Sequence, residues 1–146
     1  MDTLKRILLC EDSEPDIELT IAALDAHNLA NQVVVARDGV EALDYLYRRG
    51  TFAGRADGQP LVVLLDLKMP RVDGIEVLRQ VKSEPSLRAV PIVMLTSSRE
   101  ERDLVESYRL GANAYVVKPV DFAQFTDAVG KIGLFWALVN EPPPPP

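Results

Sequence analysis

Five side chains of this 146-residue chain could share one chemistry. Glu11 and Asp12 follow the apolar run Ile7–Cys10, and Asp66 follows Leu61–Leu65. Thr96 follows Ile92–Leu95, and Lys118 follows Ala114–Val117. Three carboxylates brought together repel one another and call for a cation between them. A small set of oxygen donors suits Mg²⁺, which keeps several waters and is often completed by a phosphate oxygen. A lysine and a hydroxyl at the same place would be partners for phosphoryl oxygens. The chemistry implied is phosphoryl transfer to a carboxylate, with a metal ion and the lysine neutralising charge. Taken singly, each residue has an ordinary reading. A carboxylate after a strand is often a helix cap, a lone lysine a solvated charge, and a strand-end threonine plain β-propensity. Only their convergence makes a site, and convergence needs a fold that brings them to one rim.

The apolar runs supply that fold. With Val33–Ala36 there are five, each continuous rather than alternating, as expected of strands buried on both faces of a parallel sheet. Helical segments separate them, each opened by a capping pair: Asp38 with Glu41, Asp73 with Glu76, Ser98 with Glu101, Asp121 with Gln124, and more weakly Ser13 with Asp16. Apolar residues then recur at helical spacing. The stripes are Ile17, Thr20, Ile21 and Leu24; Val40, Leu43, Leu46 and Tyr47; Ile75, Leu78 and Val81; Leu104, Val105 and Tyr108; and Phe122, Phe125, Val129 and Ile132. Such stripes are expected to face the core. Strand and helix alternate five times. Right-handed crossovers then give an open, doubly wound α/β sheet with helices on both faces. Ligands of such sheets bind beyond the carboxyl ends of the strands, where the five side chains stand. The second run ends in Arg37, away from the others if that strand is an edge. The long loop Arg49–Pro60, with Gly50, Gly54 and Gly58, reads as mobile or functional.

Composition narrows the function. Sixteen Lys and Arg against 22 Asp and Glu give a net charge of −6, which argues against a nucleic-acid surface. One cysteine excludes an internal disulfide framework and a Cys-built metal cage. Cys10 reads as a buried strand residue. The start MDTLKRILLC is not a signal peptide, and the longest apolar stretches fall far short of the roughly 18 residues a membrane helix needs. A cytoplasmic domain over residues 1–139 with a Pro-rich tail over 140–146 is expected. The tail's five consecutive prolines cannot be helical.

The motifs LLCEDSEPD, LLDLKMPRVDG, VMLTSS and GANAYVVKPV together closely resemble the receiver domain of two-component response regulators, over about residues 5–133. The gaps of 30 residues from Asp66 to Thr96 and 22 from Thr96 to Lys118 fit that family, and the loop Arg49–Pro60 explains the longer first gap. The resemblance implies a flavodoxin-like (βα)5 sheet of order 2-1-3-4-5. It implies Asp66 as phosphoacceptor, and Mg²⁺ held by Glu11, Asp12, Asp66 and the backbone carbonyl of Lys68. Thr96 would bond the phosphoryl group, Lys118 would pair with it, and a cis Lys118–Pro119 bond would aim the lysine. Tyr115 stands at the family's switch-aromatic position. There it would swing inward as Thr96 moves, biasing a surface of helix 4, strand 5 and helix 5 in response to the added charge. Glu11 replaces the commoner Asp, and its extra length favours acting through a water. Lys68 puts a cation where phosphoryl hydrolysis is tuned.

More narrowly, YLYRRGTF, SREERDLVESYRLGANAYVVKPVDF and GLFWALVNEPPP resemble single-domain regulators associated with phytochrome-type histidine kinases. Only 28 residues follow Lys118, so no output domain is expected and signalling would run by protein contact or by phosphorelay. The protein is then not an enzyme beyond its own phosphorylation chemistry. The lone His27 reads as an exposed helix-end residue, so the phosphoryl group would come from a kinase phosphohistidine. The segment Leu134–Val139 either folds back on the domain or joins helices 4 and 5 in a homodimer surface, which the resemblance favours. Two rival classes fit worse. A flavodoxin-like cofactor binder needs a phosphate-cradling loop after the first strand, and here that loop is acidic. An aspartyl-phosphate phosphatase needs an Asp at position 68, which is Lys. A non-phosphorylated pseudo-receiver acting as a binding module is the remaining alternative, and the intact set Asp12, Asp66, Thr96 and Lys118 argues against it.

Overall fold

The five apolar runs pair side by side as parallel strands: β1 (Arg6–Cys10), β2 (Gln32–Ala36), β3 (Val62–Asp66), β4 (Ile92–Thr96) and β5 (Ala114–Val117). Their spatial order is β2-β1-β3-β4-β5, the doubly wound arrangement. The computed structural model describes residues 6–25, 32–56, 58–96, 101–118, 123, 124 and 127. Between the strands run α1 (Glu14–Asp25), α2 (Gly39–Tyr47), α3 (Gly74–Ser83) and α4 (Glu101–Arg109). The fifth helical stripe falls wholly outside the described residues. So do the Ser98 and Asp121 caps, Pro119, His27, Leu134–Val139 and the tail. Among the described residues no helix is long and apolar enough to cross a membrane.

Register brings the strand ends level. Cys10 pairs with Leu65, Asp66 with Leu95, and Thr96 with Val117. Glu11 therefore emerges beside Asp66, and Lys118 emerges one residue past the Thr96–Val117 pair. The ladder runs on past the strands: Glu11 N–H donates to Ala36 O, and Leu67 N–H to Leu95 O, both at 2.9 Å.

Both faces of the sheet are buried, which is why the runs are continuously apolar. Leu8, Val63, Leu65 and Met94 meet Leu43, Leu46, Leu78 and Val81 on the α2–α3 side. Ile7, Leu9, Leu64 and Val93 meet Ile17 and Leu24 of α1 on the other. Each such side chain contributes about 1.5–3 kcal/mol by leaving water. The caps of α2 and α3 form as expected: Asp38 Oδ1 accepts from Glu41 N–H at 2.8 Å and Asp73 Oδ1 from Glu76 N–H at 2.9 Å. The Ser13 cap of α1 is longer, at 3.4 Å.

Four local expectations change. In α2 the fully packed aromatic is Tyr45, while Val40 and Tyr47 are only half-buried, because Gly39, Ala42 and Leu46 turn the buried face by part of a turn. Two residues of the α4 stripe do not face the core: Leu104 and Tyr108 are 36% and 47% exposed. The buried side chain described in that helix is Ser107, a small residue that lets a helix sit close and leaves its large neighbours outside. The loop Arg49–Pro60 is fastened rather than loose. It opens with a 3-10 turn, Gly50–Phe52. Arg55 stacks 3.9 Å over the Tyr45 ring and donates to Tyr45 O at 2.8 and 3.1 Å, and Gln59 Nε2 donates to Leu46 O at 3.0 Å. These side chains satisfy carbonyls that the end of α2 leaves over. Finally Arg37, although on the edge strand β2, is not apart from the rim, because it bonds Glu14 at the start of α1.

Candidate functional site

The rim holds a cluster of charge. Glu11 is almost fully buried, 1% exposed, directly after β1, and Asp66 is 5% exposed at the end of β3. Asp12 is exposed beside them. Carboxylate oxygens of all three lie within 4.8 Å of one another. Lys118, at the end of β5, reaches across. Its Nζ lies 2.7 Å from Glu11 Oε1, 3.0 Å from Asp16 Oδ2 and 3.5 Å from Asp66 Oδ2. The other oxygen of Glu11 accepts from Ser13 N–H at 3.2 Å. Lys68 N–H approaches Asp66 Oδ1 at 3.4 Å, so the residue two past Asp66 brings its backbone to the carboxylate while its side chain is exposed.

The electrostatics follow from this packing. Burial pushes the Asp66 carboxyl up to about 7, and Glu11 pushes the same way by hydrogen bond and by charge. Lys118 and the Lys68 N–H pull it back only in part. Burial works against the charge of Lys118, but Glu11, Asp16 and Asp66 outweigh it and hold its pKa above the usual lysine range. One ammonium among so many carboxylates leaves the rim strongly negative. That donor set, oxygen only and under-neutralised, fits a divalent cation. Cys10, buried against the cluster, has its thiol pushed up by burial and then by Asp66, Glu41 and Glu11.

Of the residues expected at the site, Glu11, Asp12, Asp66, Lys118 and the Lys68 backbone do converge. Thr96 is placed by its backbone at the end of β4, and its side chain lies outside the described residues. Tyr115 is half-buried against the α2–α3 core, in register with Met94. Sequence reasoning missed Asp16 as a partner of Lys118. The only signal was an acidic residue in the first turn of α1, which helix polarity alone would explain. It also missed Arg71, which pairs with Asp38 at 2.7 Å.

The model of the response regulator receiver domain matches residues 7–130. The chain belongs to the response regulator receiver family. The receiver is 36% identical over 132 residues to response regulator Rcp1 of Synechocystis sp., covering 90% of this chain and 88% of Rcp1. Among solved structures it is similar to the bacteriophytochrome response regulator AtBRR, with 61% identity and a TM-score of 0.87, over 96% of this chain and all of that one. It is also similar to the bacteriophytochrome response regulator RtBRR, with 60% identity and a TM-score of 0.85, over 97% of this chain and 85% of that one. The Mn²⁺-bound form of Rcp1 matches with 35% identity and a TM-score of 0.75, over 97% of this chain and 99% of that one. As a receiver, the chain is a phosphoryl acceptor of two-component signalling and not a member of an enzyme family.

Proposed function

We propose that the receiver takes a phosphoryl group from the phosphohistidine of a sensor kinase onto Asp66. The N–P bond of the donor breaks, an O–P bond to a carboxylate oxygen of Asp66 forms, and the donor imidazole leaves. The observation that carries this is Lys118 Nζ, 3.5 Å from Asp66 Oδ2 inside the carboxylate cluster. Asp66 must be ionised to attack, and Lys118 favours that form against burial and Glu11. Lys118 then passes from carboxylates to phosphoryl oxygens, and Thr96 bonds the group from the end of β4. Glu11, Asp12, Asp66 and the Lys68 carbonyl would hold Mg²⁺, which supplies charge neutralisation to the transferring group. The Mn²⁺-bound form of Rcp1 supports that reading.

The similarity to AtBRR and RtBRR supports a phytochrome-type histidine kinase as the donor. The exposed Leu104 and Tyr108 on α4 support a contact surface on the α4–β5 side, with Tyr115 coupled to Thr96 as its switch. A cytoplasmic homodimer joined there and by Leu134–Val139 is the expected working form. The test is phosphotransfer from a phosphorylated phytochrome-type kinase, with and without a chelator. Label is expected on wild type with Mg²⁺, and neither on Asp66→Asn nor after chelation. Equal labelling of Asp66→Asn would remove the assignment.

A further inference from the structure

Arg71 has a φ of +66°, one of two non-glycine residues in the left-handed region among the described residues. The other, Arg48, ends α2, where that conformation is the usual way to close a helix. Arg71 ends no helix. It sits at the apex of the loop from Leu67 to Asp73 that links β3 to α3. Strain of this kind persists where surrounding contacts impose it and gathers at functional sites.

The contacts are specific. Nε and Nη2 of Arg71 both donate to Asp38 Oδ2, at 3.0 and 2.7 Å. The other oxygen of Asp38 caps α2. Beside the pair, Gly39 meets the loop backbone so closely that a Cβ there would lie 1.9 Å from Val72 O. The loop is thus seated on the first turn of α2 at two points. Its base is closed by Gly74 N–H on Leu67 O at 2.9 Å, and its apex is tightened by Val72 N–H on Pro70 O at 2.8 Å. Lys68 lies between base and apex.

We propose that Arg71 is a positioning residue: its pair with Asp38 clamps the β3–α3 loop against α2 so that the Lys68 backbone is presented to Asp66 and to a cation held there. The cation half of this rests on the metal-binding reading above. The amide half does not.

The test is Arg71→Gly, which removes the clamp but also relieves the positive φ. Stability and presentation are then expected to part. The Tm stays at or above wild type. Exchange of the Lys68 and Val72 amide protons, followed by NMR without metal, quickens, and the Mn²⁺ affinity in calorimetry weakens by about fivefold, the upper range for one partly exposed ion pair. Asp38→Asn keeps a capping oxygen but loses the charge and is expected to match it. The double variant is expected to be no worse than either single one. Wild-type amide exchange in Arg71→Gly overturns the proposal, as does a Tm that falls in step with the affinity. Additive losses in the double variant overturn the pairing. If wild type itself binds no Mn²⁺, the metal-binding reading fails, and the amide exchange still decides the clamp.

Discussion

Two half-buried lysines sit at opposite ends of this sheet and are solved in opposite ways. Lys82, in the last turn of α3, donates to the carbonyls of Arg88 and Val90 and to Asn113 Oδ1, at 3.1, 2.9 and 3.2 Å. All three acceptors are neutral, so its hydrogen bonds are satisfied but its charge is not, and burial lowers its pKa. Lys118, at the other end, has carboxylates for partners, and its pKa rises despite burial. Hydrogen-bond saturation and charge compensation are therefore separate requirements. Neutral acceptors suffice where a side chain only ties backbone segments together. A side chain that must later meet an incoming anion keeps its full charge and holds exchangeable partners meanwhile.

The contrast can be broken by substitution. Lys118→Ala is expected to slow phosphoryl acceptance by about 10²–10³-fold, the effect of losing one preorganised donor to developing charge. Radiolabel transfer from a phosphorylated kinase measures it. Lys82→Met is expected to leave that rate within about twofold while costing about 1 kcal/mol in urea unfolding, because the part-buried Val90 carbonyl loses its donor. If Lys82→Met loses transfer, or Lys118→Ala retains it, the two lysines do not divide as described.

The pH response sharpens the same contrast. Asp66 titrates near 7 folded and near 3.8 unfolded, so the folded state binds more protons between those values. Its charge then erodes stability as pH rises from about 4 to 7, and the penalty is complete above that. Without metal, Asp66→Asn is expected to raise the Tm at pH 8 by roughly 5 °C, equivalent to ~2 kcal/mol in a domain of this size. The gain should vanish near pH 4. The smallest effect concerns Lys82. Its folded pKa is depressed below 10.5, so wild type gains stability as pH rises toward 10.5. The deficit of Lys82→Met should therefore widen slightly between pH 8 and 10, as read by urea midpoints.

What the sequence revealed depended on range. The strands were legible because burial on both faces leaves continuous apolar runs such as Val62–Leu65. The caps Asp38 and Asp73 were legible because their partners lie three residues away. Glu11, Asp12, Asp66 and Lys118 were legible because strand ends in a parallel sheet share a rim. Asp16 was not, because its partner lies 102 residues on. Nor was the exposure of Leu104 and Tyr108 on α4, since helical spacing gives a face but not what covers it. Tyr47 was taken for Tyr45 because a short helix allows a phase error. The seating of Arg55 on Tyr45 depends on ring stacking that composition does not record.

The chain's single cysteine gives the molecule a built-in clock. Cys10 is wholly buried in β1, an interior strand of the sheet, and its thiol ionises only well above the ordinary range. A thiol reagent can reach it only when the sheet opens, so its labelling rate counts those openings. Cys10 immediately precedes Glu11, so anything that steadies the rim slows the count.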